Sequence, residues 1–177
     1  QDGDFSEEAL IKRVNSDLAN DYGNLAQRVL TFIYKNNKGL IPNQGILNLE
    51  DKELMKNMNN AKENIIKYMK NYQITNALEE LWVIIRKSNS YIDEQAPWTL
   101  KKNDLDRMNT VLFVLASIIK KVSLIATNFI PIGANKILDQ LSISKVNRSY
   151  KNFDEELIAG TKLLKPEGVF PRLEIKE

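Results

Sequence analysis

Between Leu105 and Phe129 the chain carries more apolar side chains than one helix face can hold. Leu105, Met108, Leu112, Leu115, Ile119, Val122, Ala126 and Phe129 recur at helical spacing and form one stripe, while Val111, Val114, Ile118 and Ile125 fall beside it. A helix apolar over much of its circumference must be covered by neighbours on several sides. The stretch therefore predicts a bundle with this helix at its centre. Its longest apolar run, Val111 to Ala116 and on to Ile119, ends at Lys120-Lys121. That is short of the roughly 20 residues a membrane span needs, so a soluble chain with no membrane partner is expected.

The flanking sequence supplies the covering helices. Gln1 to Phe5 reads as a loop, and Ser6-Glu7-Glu8 as a cap with acidic residues in the first turn. Leu10, Ile11 and Val14 give a short first helix an apolar face. Asn15-Ser16-Asp17 then reads as a second cap, opening a longer helix through Leu18, Tyr22, Leu25, Val29 and Phe32 that stops at Gly39. After a loop at Leu40 to Gly45, Glu50-Asp51 opens a third helix and a fourth begins near Tyr72 and runs to a break at Pro97. Asn103 or Asp104 caps the central fifth helix, and Pro131 starts a short sixth, roughly Ile132 to Leu141. Lys145 to Asn152 is polar and basic, and Glu155 to Ala159 reads as one more turn. Residues 162–177, with two prolines and a glycine among apolar residues, read as an extended tail packed over the bundle. No hairpin signal or internal repeat appears. The expectation is all-α, one helical domain over residues 1–177.

Absences narrow the chemistry. There is no cysteine, so no disulfide, thiolate nucleophile or cysteine metal site, and no histidine, the commonest general base and metal ligand. No Ser-x-x-Lys, Gly-x-Ser-x-Gly or glycine-rich phosphate loop occurs. No catalytic residue, metal ligand or cofactor site is therefore expected. Net charge is only +2, so phosphate binding must come from local placement of Lys and Arg. The acidic start does not read as a signal peptide, and a cysteine-free chain fits a reducing cytoplasm, so a cytoplasmic chain is expected.

Two local constellations point to binding. Pro97 should force Ala96 out of the helix and leave Trp98 on a turn, outside any helical stripe. An aromatic on a breaker either folds back as a lid or meets a ligand. Asn24 and Arg28 stand four residues apart and share a helix face at the border of its apolar stripe. An amide and a guanidinium side by side suit a nucleobase edge, just as they suit plain solvation. Gly23, costly in a helix, implies close approach by another group. Asp93, five residues before Trp98, offers a carboxylate to a base amine, or to Lys101 or Lys102. Aromatic stacking with base-edge donors nearby is how unpaired RNA bases are read. Lys12, Arg13, Lys35, Lys38, Lys101, Lys102 and Arg107 are free to meet phosphates, and Trp82 reads as core.

Four stretches carry a further signal: Gln1 to Ser6, Asp17 to Leu25 through Arg28, Tyr91 to Trp98, and Phe170-Pro171-Arg172-Leu173-Glu174. In this order they resemble the C-terminal region of bacterial-type methionyl-tRNA synthetases. The resemblance implies the helical anticodon-binding domain of a class I synthetase, reading the CAU anticodon of methionine tRNA. It implies that Trp98 stacks on the first anticodon base, a cytosine, that Asn24 and Arg28 hydrogen-bond it, that Asp93 assists discrimination and that Pro97 sets the turn. The family's His-Ile-Gly-His and Lys-Met-Ser-Lys-Ser signatures are absent. The resemblance thus places ATP, Mg2+ and any zinc in a catalytic domain outside this chain, which becomes a partner. Some members of the family carry a further dimerisation module, which this sequence does not show, and a monomer is expected. The equivalent domain of another class I synthetase, or a helical protein-interaction module with Trp98 as a buried lid, remain open at this point.

Overall fold

The computed structural model describes residues 6–174; the loop expected at Gln1 to Phe5 and the tail's last residues, 175–177, lie outside the described residues. Seven α-helices account for most of it: α1 (Glu7–Arg13), α2 (Asn24–Asn36), α3 (Leu49–Lys70), α4 (Ile74–Gln95), α5 (Pro97–Asn103), α6 (Leu105–Ala126) and α7 (Pro131–Gln140). The all-α expectation holds, and the one ladder contact among the described residues is a single antiparallel bridge, Leu40 with Lys162.

Helix α6 is the hub, in contact with α2, α3, α4, α5 and α7. Val111, Leu112, Val114, Leu115, Ile119 and Val122 are wholly buried, and the neighbouring helices contribute Leu25, Val29, Met58, Leu81 and Ile85 to the same core. By length and composition α6 would suffice to cross a bilayer, so the sequence argument from run length does not hold alone. Its most apolar window is 83% buried inside the bundle, and that burial accounts for its composition. The chain carries its own core, closed by its own helices.

The expected break at Asn15-Ser16-Asp17 does not occur. The backbone stays helical from Glu7 to Asn36, and Val14–Gly23 is wound as a π-helix. Asn15, read as part of a cap, spends its side chain on the C-terminal tail: its amide donates to the Leu173 carbonyl at 2.9 Å and its oxygen accepts from the Leu173 N–H at 2.8 Å. Gly23 is explained in the same way. A Cβ there would stand 2.9 Å from the Leu18 carbonyl, which the π-turn brings close, and 3.1 Å from the Phe170 ring. The group that approaches Gly23 is thus the chain's own tail.

That tail is strapped at several points as far as Leu173. Ile41 and Leu163 N–H donate across the bridge to Thr161 and Gly39 carbonyls, both at 2.8 Å. The Gln140 amide donates to the Glu167 carbonyl at 3.0 Å. Phe170 lies against Tyr22, ring centres 5.6 Å apart, over Gly23 and Gly133. Arg172 donates to Asn20 at 2.7 Å. The extended packing matches expectation, but the turn expected at Glu155 to Ala159 is absent; two 3-10 turns at Lys145–Asn147 and Tyr150–Asn152 precede it. Lys120, which looked like the end of an apolar run, is buried instead. Its Nζ donates to the Asn152 and Glu155 carbonyls at 3.1 and 2.6 Å, satisfying backbone that a helical turn would otherwise have paired.

A second buried polar group joins three helices. Asp51 caps α3 in a reciprocal box with Asn48 and is fully buried. Its carboxylate accepts from Arg107 Nη1 and Nη2 at 2.5 and 2.8 Å and from the Tyr91 hydroxyl. Arg107, expected on the surface, is therefore occupied. Burial pushes the Asp51 carboxyl up, but bonds from Arg107, Tyr91 and the Asn48 N–H outweigh it and hold the carboxyl below its ordinary value. A carboxyl depressed by folding adds stability above its unfolded pKa and loses it as pH falls through the folded value.

Two outcomes follow. Arg107→Met should cost about 3–5 kcal/mol in urea unfolding at neutral pH, because it strands a buried charge. The gap to the parent should narrow as pH falls, because the Asp51 carboxyl stranded by burial escapes its penalty by taking a proton. The parent's carboxyl, held down by Arg107, stays ionised and loses its own stabilisation only at lower pH. A Cβ at Gly133 would sit 2.4 Å from the Phe170 ring, so Gly133→Ala should evict that ring. The readout is faster protease cleavage near Lys165, with a loss of roughly 1–3 kcal/mol.

Candidate functional site

Helix α4 ends where its chain direction must change. Ala96 closes α4 and caps α5 at once, its backbone in the left-handed region at φ 44° and ψ 63°. The sequence argument for Ala96 leaving the helix is correct, but the conformation is not the extended one that usually precedes proline. The Ala96 N–H still donates to the Ile92 carbonyl at 3.0 Å, and its own carbonyl accepts from Thr99 and Leu100 N–H at 2.8 and 3.2 Å. Pro97 takes the first position of α5, where a missing N–H costs nothing. Trp98 therefore stands in the first turn of a short helix, a correction to the isolated turn expected. It is 43% exposed, which removes the buried-lid reading.

The other expected residues converge on it. Arg28, on α2, places its guanidinium carbon 5.7 Å from the centre of the Trp98 ring. The same side chain donates from Nη2 to Asp93 Oδ1 at 2.6 Å. Asp93 thus pairs with Arg28, not with Lys101 or Lys102. Arg28 is thus held at one nitrogen by a carboxylate that is 61% exposed while its guanidinium carbon lies within cation–π reach of the indole, two contacts that restrict where the side chain can go. Asn24 lies one turn before Arg28, exposed, and among the described residues no hydrogen bond occupies its side-chain amide.

Asn24, Arg28, Pro97 and Trp98 line one groove of about 520 Å3 between α2 and the α4–α5 junction. The groove runs on to Lys35, one of the expected phosphate contacts, to Phe32 of the apolar stripe, and to three residues not singled out in the sequence, Gln27, Thr31 and Asn36. The signal for two of the three was present, since Gln27 and Thr31 continue the Asn24–Arg28 face at spacings of three and four. Lys12 and Arg13 sit on α1, away from this groove, and Trp82 is half-buried with its indole N–H donating to the Asp17 carbonyl at 3.3 Å. Another groove of about 440 Å3 between α3 and α4 mixes Glu50, Glu53 and Glu94 with Arg86 and Lys87. Its opposed charges and lack of an exposed aromatic define no one ligand chemistry. The first groove does: an aromatic plate, a fixed fork of donors and a free amide suit a flat, polar-edged ring.

Comparisons with known proteins show the family and the fold. Residues 41–177 match the family model described as the anticodon binding domain of methionyl tRNA ligase, and residues 1–30 match that of class I tRNA synthetases (M). The chain is 39% identical to a methionine–tRNA ligase of Rickettsia felis over 98% of its own length and 35% of the relative's. It is 39% identical to one from Brucella suis over 97% and 34%. Among solved structures, the free Mycobacterium tuberculosis methionyl-tRNA synthetase superposes with a TM-score of 0.96 at 35% identity, over 99% of this chain and 36% of that one. The chain spans about a third of the length of the relatives it matches.

Stability separates the site from the core. Trp98→Ala should leave the urea midpoint close to that of the parent, whereas Leu112→Ala, at the wholly buried hub, should cost about 2–5 kcal/mol. Reversal of that order would return Trp98 to the core.

Proposed function

The chain belongs to the anticodon-binding domain family of methionyl-tRNA ligases, and on that premise we propose that its α2 groove selects the first base of a CAU anticodon in methionine tRNA. The base stacks on the Trp98 indole, a contact worth about 1–3 kcal/mol. Its hydrogen-bonding edge meets the remaining donors of Arg28 and the amide of Asn24. Cytosine offers an exocyclic amine donor beside ring acceptors, whereas uracil puts a carbonyl where the amine stood. Asp93 serves twice: it holds the Arg28 fork in plane, and its carboxylate disfavours a base or phosphate presenting oxygen there. Pro97 sets the helix start from which the indole projects.

The observation that carries this reading is the Arg28 guanidinium at 5.7 Å from the Trp98 ring while bonded to Asp93, with the Asn24 amide free in the same groove. Three of the four polar and aromatic parts are already oriented before any RNA arrives. In the parent enzyme this domain supplies selection, and the ATP-dependent attachment of methionine takes place in a separate catalytic domain.

The test is a titration of the chain with a CAU anticodon stem-loop and with one carrying uracil at the first position, at one stated low salt concentration. The cytosine loop should bind roughly tenfold tighter or more, the scale of one bidentate base contact. Trp98→Ala and Asn24→Ala should each erase the difference. Equal binding of the two loops by the parent chain sinks the assignment.

A further inference from the structure

Ala96 is a β-carbon-bearing residue in the left-handed region, directly before a proline, and such backbone persists only where its surroundings over-determine it. The Trp98 indole does not do so itself, being nearly half exposed with Arg28 on its face. The fixing group lies on the other side of the turn. Gln95, the last residue of α4, accepts a hydrogen bond on its side-chain oxygen from Arg107 Nη2 at 2.5 Å. The same guanidinium grips both oxygens of the buried Asp51, which also accepts from Tyr91 and from the Asn48 N–H at 3.0 Å. The residue before the strained one is thus tied to the N-termini of α3 and α6 and, through Tyr91, to the last turns of its own helix.

We propose that the Arg107–Gln95 contact, backed by Asp51, is a positioning device that fixes the plane of Trp98 and thereby sets how sharply the groove discriminates its base. This rests on the reading of the groove given above. A stacking plate discriminates only while the base edge is held in register with Asn24 and Arg28. A ring free to tilt still stacks but spreads the edge over several positions, so selectivity falls before affinity does. A buried ion pair is weak support for stability as such, and holding a unique local geometry is the role left for this one. Arg107 and Gln95 touch no ligand in this scheme; both act through Trp98.

Gln95→Ala cuts the link to the turn and leaves Asp51, Arg107 and Tyr91 in place, while Gln95→Glu restores an acceptor oxygen. Both are made in a Trp82→Phe background, so that with only two tryptophans in the chain the emission reports Trp98 alone. Gln95→Ala should lower the emission anisotropy of the free protein. It should also reduce discrimination between the cytosine and uracil loops roughly fivefold or more, the weight of one net hydrogen bond, with little change in urea midpoint. Gln95→Glu should recover both. Unchanged anisotropy in Gln95→Ala overturns the proposal. So does discrimination lost only in step with stability and not recovered by Gln95→Glu. If the background protein itself binds both loops equally, the reading of the groove fails, and the positioning claim stands or falls on the anisotropy alone.

Discussion

Helix α6 has no face to give to water, and the rest of the molecule is arranged to meet that demand. At about 25 cal/mol per Å2 of apolar surface removed from water, burying most of such a helix from Met108 onward contributes heavily to stability. Helices α2, α3, α4, α5 and α7 each present their apolar stripe to it, and each keeps its polar face outward as a consequence. The outward face of α2 therefore carries Asn24, Arg28 and Lys35. The groove is a by-product of covering α6.

Covering a helix with straight helices leaves gaps, and the tail fills one. Phe170 lies over two glycines, Gly23 and Gly133, contributed by different elements, and Asn15 and Asn20 of the π-helical stretch hold the backbone and Arg172 beyond it. The π-winding brings the Leu18 carbonyl to a distance that only glycine at position 23 tolerates. Local irregularity in the helix and the seat of the tail thus share one cause. The residue after Gly23 is Asn24, so the same irregularity sets where the groove begins.

The site depends on charges held in different ways. Asp51 is fully buried against a partly buried Arg107, and Arg28 and Asp93 are paired at the surface. The buried pair is fixed and structural. The surface pair is screened and costs little to rearrange, which suits a guanidinium that must offer some donors to a ligand while one stays on a carboxylate. Between the two pairs lies the turn Ala96-Pro97-Trp98, where a strained backbone turns a buried constraint into an exposed aromatic. Legibility follows the same division. Asn24, Arg28, Asp93, Pro97 and Trp98 were each visible as residue types at helical spacing or at a breaker. That Asp93 would choose Arg28 over Lys101 was not, since the two are 65 residues apart and spacing along one helix cannot rank partners on another.

Local rules were enough for the α3, α4, α6 and α7 boundaries, because caps, prolines and a repeating apolar stripe act within a few residues of where they stand. They failed at Asn15-Ser16-Asp17, at Glu155 to Ala159 and at Lys120. In each case a side chain that favours one local conformation was claimed by a distant segment: Asn15 by Leu173, and Lys120 by the carbonyls of Asn152 and Glu155. They failed again at Asp51 and Arg107, which look like ordinary first-turn and surface charges until α3 and α6 meet. The sequence by itself determined that α6 would be central and that Asn24 and Arg28 would share the border of the α2 stripe, while Trp98 could still have folded back as a lid. Tertiary structure alone decided that the Trp98 indole is exposed, with the Arg28 guanidinium carbon 5.7 Å from its centre, on one groove with Asn24. Hydrophobic pattern specifies which face is buried but not which polar groups on the opposite faces come to be neighbours.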